Sequence, residues 1–598
     1  MDLKLNFTRI SQLYPFLFFS SQEMKIQKSN LDWFTRVLPA HAGSIPSKIS
    51  GVVLGIVAIA CSALPSQAAE RVYLSYASAN ISVSVEALEA YAHQQETHPE
   101  LESYLLLLSP ADQQEFRDVL DDSVHLDPLM VDRFFRSPTG EWVLEKLGDL
   151  IQAQSHQEGQ TSVENGSEGI RTALVKAAAD PQGLNLINIL RYFPSEGIYL
   201  NTALMFELRT QIETLLKETD AVINEVVSLS QHEESLNRTI DFRQKPDIRQ
   251  TGPYAVEMQT SILYDQQRQR RVPVDLYLPT PLKTVNLGQP HSMPLIVVSH
   301  GLGGDRTNYA DFGRHLASYG FAAALIQHPG SDTEQVQALL SGQASEVFKV
   351  SEFIDRPKDI SFLLDELEQR NAGLYNNQLN LNQVGVVGHS FGAYTALAIG
   401  GAQIDYQNLE LDCLSKFDSV NLARMFQCRA LELPHQVYDL RDSRVTAIMP
   451  INPVNSSIFG QHSLSQLSLP ILWKTSGKDT VTPVAWEQVR SFTWLKTPDK
   501  YLLLAEGDHH INLNLSSVNR VVSVSLREII EPTPATVNSY VNAMGLAFFQ
   551  VYLMHDETYR TYLQPAYAKA ISEQPYPLSL VRSITTEQFF KAIEQARL

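Results

Sequence analysis

Cysteine is scarce in this chain, which has only 3 cysteines in 598 residues. No Cys-x-x-Cys or His-Glu-x-x-His sequence occurs, so the ligand spacings typical of zinc sites are absent. We therefore expect no metal ion, and nothing in the sequence indicates another cofactor.

Positive charge is also in short supply, because 47 lysine and arginine residues face 66 aspartate and glutamate residues. The formal net charge of -19 would repel the phosphate groups of nucleic acids and anionic membranes. This charge excludes nucleic acid as an expected partner and gives no support to membrane contact. The sequence does not indicate an oligomeric state.

Long apolar runs are limited to one stretch near the N-terminus. Lys48 precedes "ISGVVLGIVAIACSALPSQAAE", whose basic, apolar and small-residue parts follow the order of a secretory signal. We predict that residues 1–68 are an N-terminal extension and signal, cleaved after Ala68, which exports the protein to the periplasm or the medium. The apolar part is shorter than the ~20 residues of a membrane span, so a retained N-terminal anchor comes second. Met24 is an alternative start of the chain.

Cleavage after Ala68 would also remove Cys61 and leave Cys413 and Cys428. An even pair of cysteines in an exported chain predicts a disulfide. The alternative is two free, buried thiols.

The length of the chain predicts two domains. The first, residues 69–235, is expected to be mainly helical and to open with a pair of strands, "RVYLSYASANISVSV". Its polar stretch "QAQSHQEGQTSVENGSEG" predicts an exposed loop. An apolar stripe from Leu208 to Val226 predicts a helix through about Leu229 that packs against a neighbouring helix rather than lipid. Residues 236–253 are the predicted linker.

The second domain, residues 254–598, alternates short apolar runs with helical segments. Two runs, "YAVEMQTSILYD" and "VPVDLYLP", alternate as in an antiparallel strand pair. Six more are continuously apolar: "PLIVVSH", "AAALIQH", "QVGVVGH", "VTAIMPI", "PILWKTS" and "KYLLLAE". Apolar strands alternating with helices predict a mostly parallel sheet covered on both faces. This order is typical of the α/β-hydrolase fold.

The third of these apolar runs continues into "GHSFGAYTALAIG", which places Ser390 between Gly388-His389 and Phe391-Gly392. A serine that projects from a sharp strand-to-helix turn needs glycine on either side, because side chains there would collide. We predict that this segment is a nucleophile elbow and Ser390 a nucleophile. The alternative is a serine in an ordinary glycine-rich turn.

A serine nucleophile requires a histidine base and a carboxylate that orients it. In this fold they follow the serine in the order acid, then histidine. Asp479 follows "PILWKTS", and His509 and His510 follow "KYLLLAE". We predict Asp479 as the acid and His510, rather than His509, as the base. Asp508 is the alternative acid.

Two backbone N–H groups should bind the oxyanion, one from the residue after the nucleophile and one from a loop near the third strand. Phe391 supplies the first, and Leu302 in "SHGLGGDRTNY" the second. The loop lacks the glycine and lysine spacing of a phosphate cradle. His300, His328 and His389 are expected to be structural neighbours rather than ligands.

An insertion at about residues 404–444 separates the helix after Ser390 from the strand "VTAIMPI". It contains both remaining cysteines. Insertions at this position commonly cover the site, so we predict a cap that the disulfide stiffens.

Taken together, the chain resembles exported cyanobacterial α/β-hydrolases with a helical N-terminal domain of unknown function. The resemblance rests on "RVYLSY…SVEALEAYA", "SPTGEWVLEKLGD", "AAADPQGLNLINILRYFP", "SHGLGGDRTNYADFGRHLASYGFAAALIQHPGSD", "DRPKDISFLLDEL" and "GHSFGAYTA". The hydrolase part is similar to platelet-activating-factor acetylhydrolases and to dienelactone hydrolases. The resemblance implies carboxylic ester substrates, including short-acyl phospholipids, with Leu302 and Phe391 at the oxyanion positions.

Two departures from these relatives matter. Acetylhydrolases carry the acid after the sixth strand, where "PINPVN" places Asn452, so the acid is assigned to Asp479. Dienelactone hydrolases use a cysteine nucleophile, and here that position is Ser390. We therefore expect a serine esterase or lipase acting on a small-molecule or lipid ester. The alternatives are a peptidase or amidase with the same residues, and a non-catalytic binding protein of this fold.

Overall fold

The computed structural model describes residues 69–598 except 77–78, 94–97, 107, 158–159, 237–239, 281–291, 415–420 and 511–533. The predicted signal, its cleavage point and the alternative start lie outside the described residues. The chain divides into two compact units between Glu207 and Leu208.

The first unit combines helices with a five-stranded sheet of order β2-β1-β5-β3-β4. The strands are β1 (Arg71–Tyr76), β2 (Ala79–Ser84), β3 (Ile151–Gln157), β4 (Gln160–Asn165) and β5 (Gly197–Leu200). The helices are α1 (Val85–His93), α2 (Pro99–Leu105), α3 (Pro110–Asp121), α4 (Pro128–Phe135), α5 (Pro138–Leu150), α6 (Ser167–Ala179) and α7 (Leu186–Tyr192).

Local sequence explains many of these helix starts. Proline occupies the first turn of α2 to α5, where its missing N–H costs no hydrogen bond. Ser109 and Asp112 form a reciprocal capping box at the start of α3. The opening strand pair forms as predicted. The polar stretch predicted as a loop instead forms much of the hairpin β3–β4, because an exposed edge strand needs no apolar face.

Helix α8 (Thr202–Ser235) begins in the first unit, but its residues from Leu208 onward belong to the second. Val222 and Val226 on its apolar stripe are fully buried in the core of the second unit. The carboxylate of Glu218 accepts hydrogen bonds from Trp486 and Arg597, each at 2.6 Å. The units therefore divide earlier than the expected boundary at residue 235, because the stripe packs onto the downstream domain.

A nine-stranded sheet of order β14-β13-β12-β11-β10-β8-β9-β7-β6 forms the centre of the second unit. Strands β8 to β13 run parallel to one another. The pairings of β6 with β7, of β7 with β9 and of β13 with β14 are antiparallel. The strands are β6 (Ala255–Asp265), β7 (Arg270–Thr280), β8 (Met293–Ser299), β9 (Ala322–Ile326), β10 (Leu379–His389), β11 (Val445–Ile451), β12 (Ile471–Ser476), β13 (Lys500–Ala505) and β14 (Leu578–Val581).

Helices cover both faces of this sheet. They are α9 (Ala310–Ser318), α10 (Thr333–Ser341), α11 (Glu352–Leu374), α12 (Phe391–Ile399), α13 (Tyr406–Leu414), α14 (Leu422–Cys428), α15 (Ser456–Leu464), α16 (Arg490–Trp494), α17 (Ala535–Tyr552), α18 (Pro565–Ile571) and α19 (Thr586–Arg597). One apolar core contains residues of α11 and α12, and a second contains residues of α9 and α17. The α/β fold predicted from the sequence is confirmed.

The insertion at residues 404–444 contains α13 and α14, and a disulfide joins Cys413 to Cys428. Helix α14 contacts the loop after β12, where the N–H of Ala423 donates to the carbonyl of Val481 at 3.0 Å. The ring of Phe426 lies 4.7 Å from that of Phe391. The insertion therefore touches two of the segments that carry predicted site residues.

Candidate active site

Ser390 occupies the turn between β10 and α12 with φ 55° and ψ −114°, a conformation that side-chain-bearing residues rarely adopt. A Cβ atom on Gly388 would lie 1.9 Å from the carbonyl oxygen of Gly392. A Cβ on Gly392 would lie 2.0 Å from the carbonyl oxygen of Ser299. Both glycines are therefore required by close backbone approach, and the turn places Ser390 at the end of a central strand.

The structure brings Ser390, His510 and Asp479 together. The Nε2 atom of His510 lies 3.0 Å from the Oγ atom of Ser390, and its Nδ1 atom lies 2.7 Å from an Oδ2 oxygen of Asp479. All three side chains are buried, with exposed fractions of 9%, 5% and 6%. Such a chain of hydrogen bonds can move the serine proton to the imidazole while the carboxylate stabilises the resulting charge.

The loop after β12 fixes the Asp479 carboxylate. Its Oδ1 oxygen accepts hydrogen bonds from the N–H groups of Val481 and Thr482, at 2.9 and 2.6 Å. Its Oδ2 oxygen accepts one from the Thr482 hydroxyl at 2.5 Å, and Gln488 donates to that hydroxyl at 2.6 Å. The carboxylate is thus oriented toward His510 before any substrate arrives.

The backbone carbonyl of His510 accepts two hydrogen bonds from neighbouring side chains. The Nε2–H of His389 donates to the His510 carbonyl at 2.6 Å, and the Asn452 amide donates to the same oxygen at 3.3 Å. Burial lowers the pKa of His389 well below its usual value, so its ring is neutral. His389 is thus a structural neighbour, as expected, with a specific contact to the candidate base.

Asp508, the alternative acid, is engaged elsewhere. Its carboxylate pairs with Lys474 and accepts a hydrogen bond from the Ser476 hydroxyl at 2.6 Å. Both members of this ion pair are almost completely buried. The adjacent His509 is exposed, whereas His510 points inward. Of the two acids and two histidines considered from the sequence, the structure brings Asp479 and His510 to the serine.

The glycine-rich loop after β8 lies directly against the elbow. A Cβ placed on Gly301 would be 3.5 Å from the Cβ of Ser390. The loop is shaped by a hydrogen bond from the Gly303 N–H to the Ser331 carbonyl at 2.8 Å, and Gly303 has φ 69°. Gly301 is therefore beside the serine and Leu302 follows it in the loop. Phe391 is the first residue of α12, where N–H groups have no partner within the helix.

His300 and His328 lie behind this loop and are fully buried. The His300 Nδ1–H donates to the Gly301 carbonyl at 2.7 Å, and its Nε2 accepts from the His328 N–H at 3.0 Å. Burial lowers the pKa of both rings well below the usual value. Among the described residues, no cluster of histidine, cysteine, aspartate and glutamate is arranged to hold a metal ion.

Sequence reasoning missed the contacts that support this site, which come from Thr482, Gln488, Asn452, Lys474 and a buried group around Arg356. Most of the segments that carry these residues were identified, but a contact between distant segments has no local pattern. No helix within the described ranges is long and apolar enough to cross a membrane.

Comparisons with known proteins support a hydrolase. A family model described as "Alpha/beta hydrolase of unknown function" matches residues 68–201, and one described as "Platelet-activating factor acetylhydrolase, isoform II" matches residues 270–347. The chain is 30% identical over 143 residues to a dog (Canis lupus familiaris) platelet-activating factor acetylhydrolase, covering 17% of this chain and 31% of that protein. The match thus spans about a third of the dog protein. With the sheet order, these matches identify an α/β-hydrolase fold.

Proposed function

We propose that the protein is a serine hydrolase that cleaves carboxylic esters. Ser390 is the nucleophile, His510 the general base and Asp479 the acid that orients the base. The observation that carries the proposal is the hydrogen-bonded series from Ser390 Oγ through the imidazole to the carboxylate, at 3.0 and 2.7 Å, on a glycine-bounded turn.

The reaction follows from this arrangement. Ser390 Oγ attacks the ester carbonyl carbon while His510 Nε2 takes the hydroxyl proton. The N–H groups of Leu302 and Phe391 bind the oxyanion as the tetrahedral intermediate forms. That intermediate collapses with loss of the alcohol, which receives the proton from His510. Water, activated by His510, then hydrolyses the acyl-enzyme and releases the carboxylic acid.

The substrate belongs to the same proposal. The similarity to acetylhydrolases of platelet-activating factor favours a lipid ester with a short acyl chain. The aromatic ring of Phe426 packs against that of Phe391, so the insertion contacts a residue of the proposed oxyanion hole. A series of p-nitrophenyl esters from acetate to palmitate, with a short-acyl phospholipid, measures this preference.

The nucleophile is tested by Ser390→Ala, with Ser341→Ala at the exposed end of α10 as the matched control. Ser390→Ala should lower kcat by roughly 10⁶-fold and abolish labelling by a fluorophosphonate, whereas Ser341→Ala should retain both. Ester hydrolysis that survives Ser390→Ala would refute the proposal. Faster cleavage of matched p-nitroanilides than of esters would instead indicate the peptidase or amidase activity.

Export is part of the proposal as well. The disulfide between Cys413 and Cys428 supports it, because disulfides persist in oxidising compartments. Cell fractionation followed by N-terminal sequencing should find the protein outside the cytoplasm, beginning at Ala69. A cytoplasmic protein that retains residues 1–68 would contradict export without affecting the proposed chemistry.

A further inference from the structure

Arg356 is a fully buried arginine on α11, in the "DRPKD" motif. Its N–H groups donate to hydroxyl and carbonyl oxygens: to Thr395 at 3.2 Å, to Ser331 at 3.0 Å, to Ser299 at 3.2 Å and to the carbonyl of His300. Burial lowers the pKa of Arg356 to about 9, so the guanidinium stays charged at neutral pH. A buried charge of this kind is costly and requires an explanation.

The contacts of Arg356 reach both halves of the proposed oxyanion hole. The carbonyl of His300 belongs to the loop that presents the Leu302 N–H. On the other side, the guanidinium lies 4.5 Å from the ring centroid of Phe391, which presents the second N–H. Thr395, one turn further along α12, accepts its Nε–H. The Arg356 guanidinium thus contacts both segments that carry the proposed oxyanion donors, Leu302 and Phe391.

A second set of hydrogen bonds fixes the other side of the loop. Asp359 accepts from the His328 Nδ1–H at 2.9 Å, and the Ser299 hydroxyl donates to His328 Nε2 at 2.9 Å. The carboxylates of Asp359 and Glu352 are in turn paired with Arg270. Asp359, His328 and Ser299 have the order of a nucleophilic triad. However, all three are fully buried, and Ser299 Oγ already accepts from Arg356, so it cannot reach a substrate.

We propose that Arg356 is the positioning residue of the oxyanion hole: it holds the His300–Gly304 loop at a fixed distance from the start of α12. The hydrogen bonds among Asp359, His328 and Ser299 hold the side of this loop that faces away from Ser390. The catalytic part of this inference rests on the proposed ester hydrolysis. The positional part rests only on the contacts of the guanidinium. A lysine cannot reproduce them, because its single ammonium group lacks the planar set of five donors.

The test compares Arg356→Lys with Arg444→Lys. Arg444 is a partly buried arginine that binds the same helix through Asp365 and the Ser361 carbonyl, and it touches neither half of the hole. Two measurements are made on each full-length variant: steady-state hydrolysis of p-nitrophenyl acetate, and hydrogen–deuterium exchange of the peptide spanning residues 299–304.

Arg356→Lys should lower kcat by roughly 10- to 100-fold with KM unchanged. Complete loss of one oxyanion donor lowers kcat by roughly 10²- to 10³-fold, and a donor that is retained on a more mobile loop should cost less. Exchange in the 299–304 peptide should increase. Arg444→Lys should change neither quantity, even where both variants lower the melting temperature. Should Arg356→Lys fail to fold, Ser299→Ala replaces it. This variant loses the hydroxyl that accepts from Arg356 and donates to His328, and its kcat should fall by about fivefold or more.

Unchanged exchange in the 299–304 peptide of the arginine variant would overturn the inference, whatever happens to activity. Increased exchange with unchanged kcat would overturn its catalytic part. A wild-type protein without Ser390-dependent ester hydrolysis would refute the proposed function and the catalytic part with it, and the exchange measurement alone would then decide the positional claim.

Discussion

Lys474 and Asp508 form an ion pair beneath the loop that carries His510. Both residues are 1% exposed, and the Lys474 ammonium also donates to the Ser476 hydroxyl at 2.5 Å. Replacing Lys474 by methionine keeps most of the side-chain volume and removes the charge. The carboxylate of Asp508 would then be a buried anion that keeps the hydrogen bond from the Ser476 hydroxyl.

The expected cost follows from this burial. Removing one partner of a buried ion pair lowers the free energy of unfolding by about 3–5 kcal/mol, because the other charge is left without compensation. Changing both residues, in Lys474→Met/Asp508→Asn, removes both charges and leaves an amide oxygen to accept from Ser476. The double variant should therefore be more stable than Lys474→Met. The losses of the two single variants should together exceed the loss of the double variant by at least about 3 kcal/mol.

Urea unfolding followed by tryptophan fluorescence measures these differences, since Trp473 is buried next to Lys474. A Lys474→Met variant that unfolds at the wild-type urea concentration would refute the reasoning. So would a double variant less stable than Lys474→Met.

Activity measurements separate the two acids considered from the sequence. Asp479→Asn should lower kcat by roughly 10⁴-fold, because the imidazole loses the carboxylate that sets its tautomer. Asp508→Asn, combined with Lys474→Met, should change kcat far less, since Asp508 does not touch the imidazole. The opposite ranking would transfer the role of orienting acid to Asp508.

Two further predictions concern stability. The bridge between Cys413 and Cys428 closes a separation of 15 residues. Cys413→Ser/Cys428→Ser should therefore lower the free energy of unfolding by about 3 kcal/mol, and dithiothreitol should destabilise the wild type but not this variant. Burial lowers the pKa of His315 from 6.5 to about 4. Between those pH values the unfolded chain binds a proton that the folded protein does not. The free energy of unfolding should therefore fall by about 3 kcal/mol as the pH is lowered from 6.5 to 4. His315→Leu should remove this pH dependence from the urea midpoints.

The parts of the second unit that sequence alone predicts are those with local causes. The clash that requires Gly388 involves the backbone of Gly392 only a few residues away, so the motif reveals the turn, whereas Gly392 itself is required by the distant Ser299 carbonyl. Continuous apolar runs reveal β8 to β13, because strands covered on both faces have no polar side. The short strand β14 was missed, since the four residues "LSLV" carry no distinguishing pattern.

Long-range partners were not predictable in the same way. The amphipathic stripe of α8 indicated a buried face, but nothing in its spacing says that Val222 and Val226 enter the core of the second unit. The "DRPKD" motif stood out in the sequence, yet its role depends on Arg356 meeting segments from β8, the following loops and α12. Hydrophobic periodicity specifies which face is covered and not what covers it.

The position of the acid can be argued from Asn452, which follows β11 where the acetylhydrolases carry their carboxylate. The Asn452 amide donates to Ser476 Oγ at 2.9 Å and to the carbonyl of His510 at 3.3 Å. An aspartate here would present an acceptor to that carbonyl oxygen and would lie beside the Ser476 hydroxyl that donates to Asp508. A carboxylate at this position would repel the His510 carbonyl, which the Asn452 amide holds by a hydrogen bond. An asparagine after β11 therefore suits the proposed acid at Asp479, because it supports the backbone of the candidate base His510 while the carboxylate approaches the imidazole from the loop after β12.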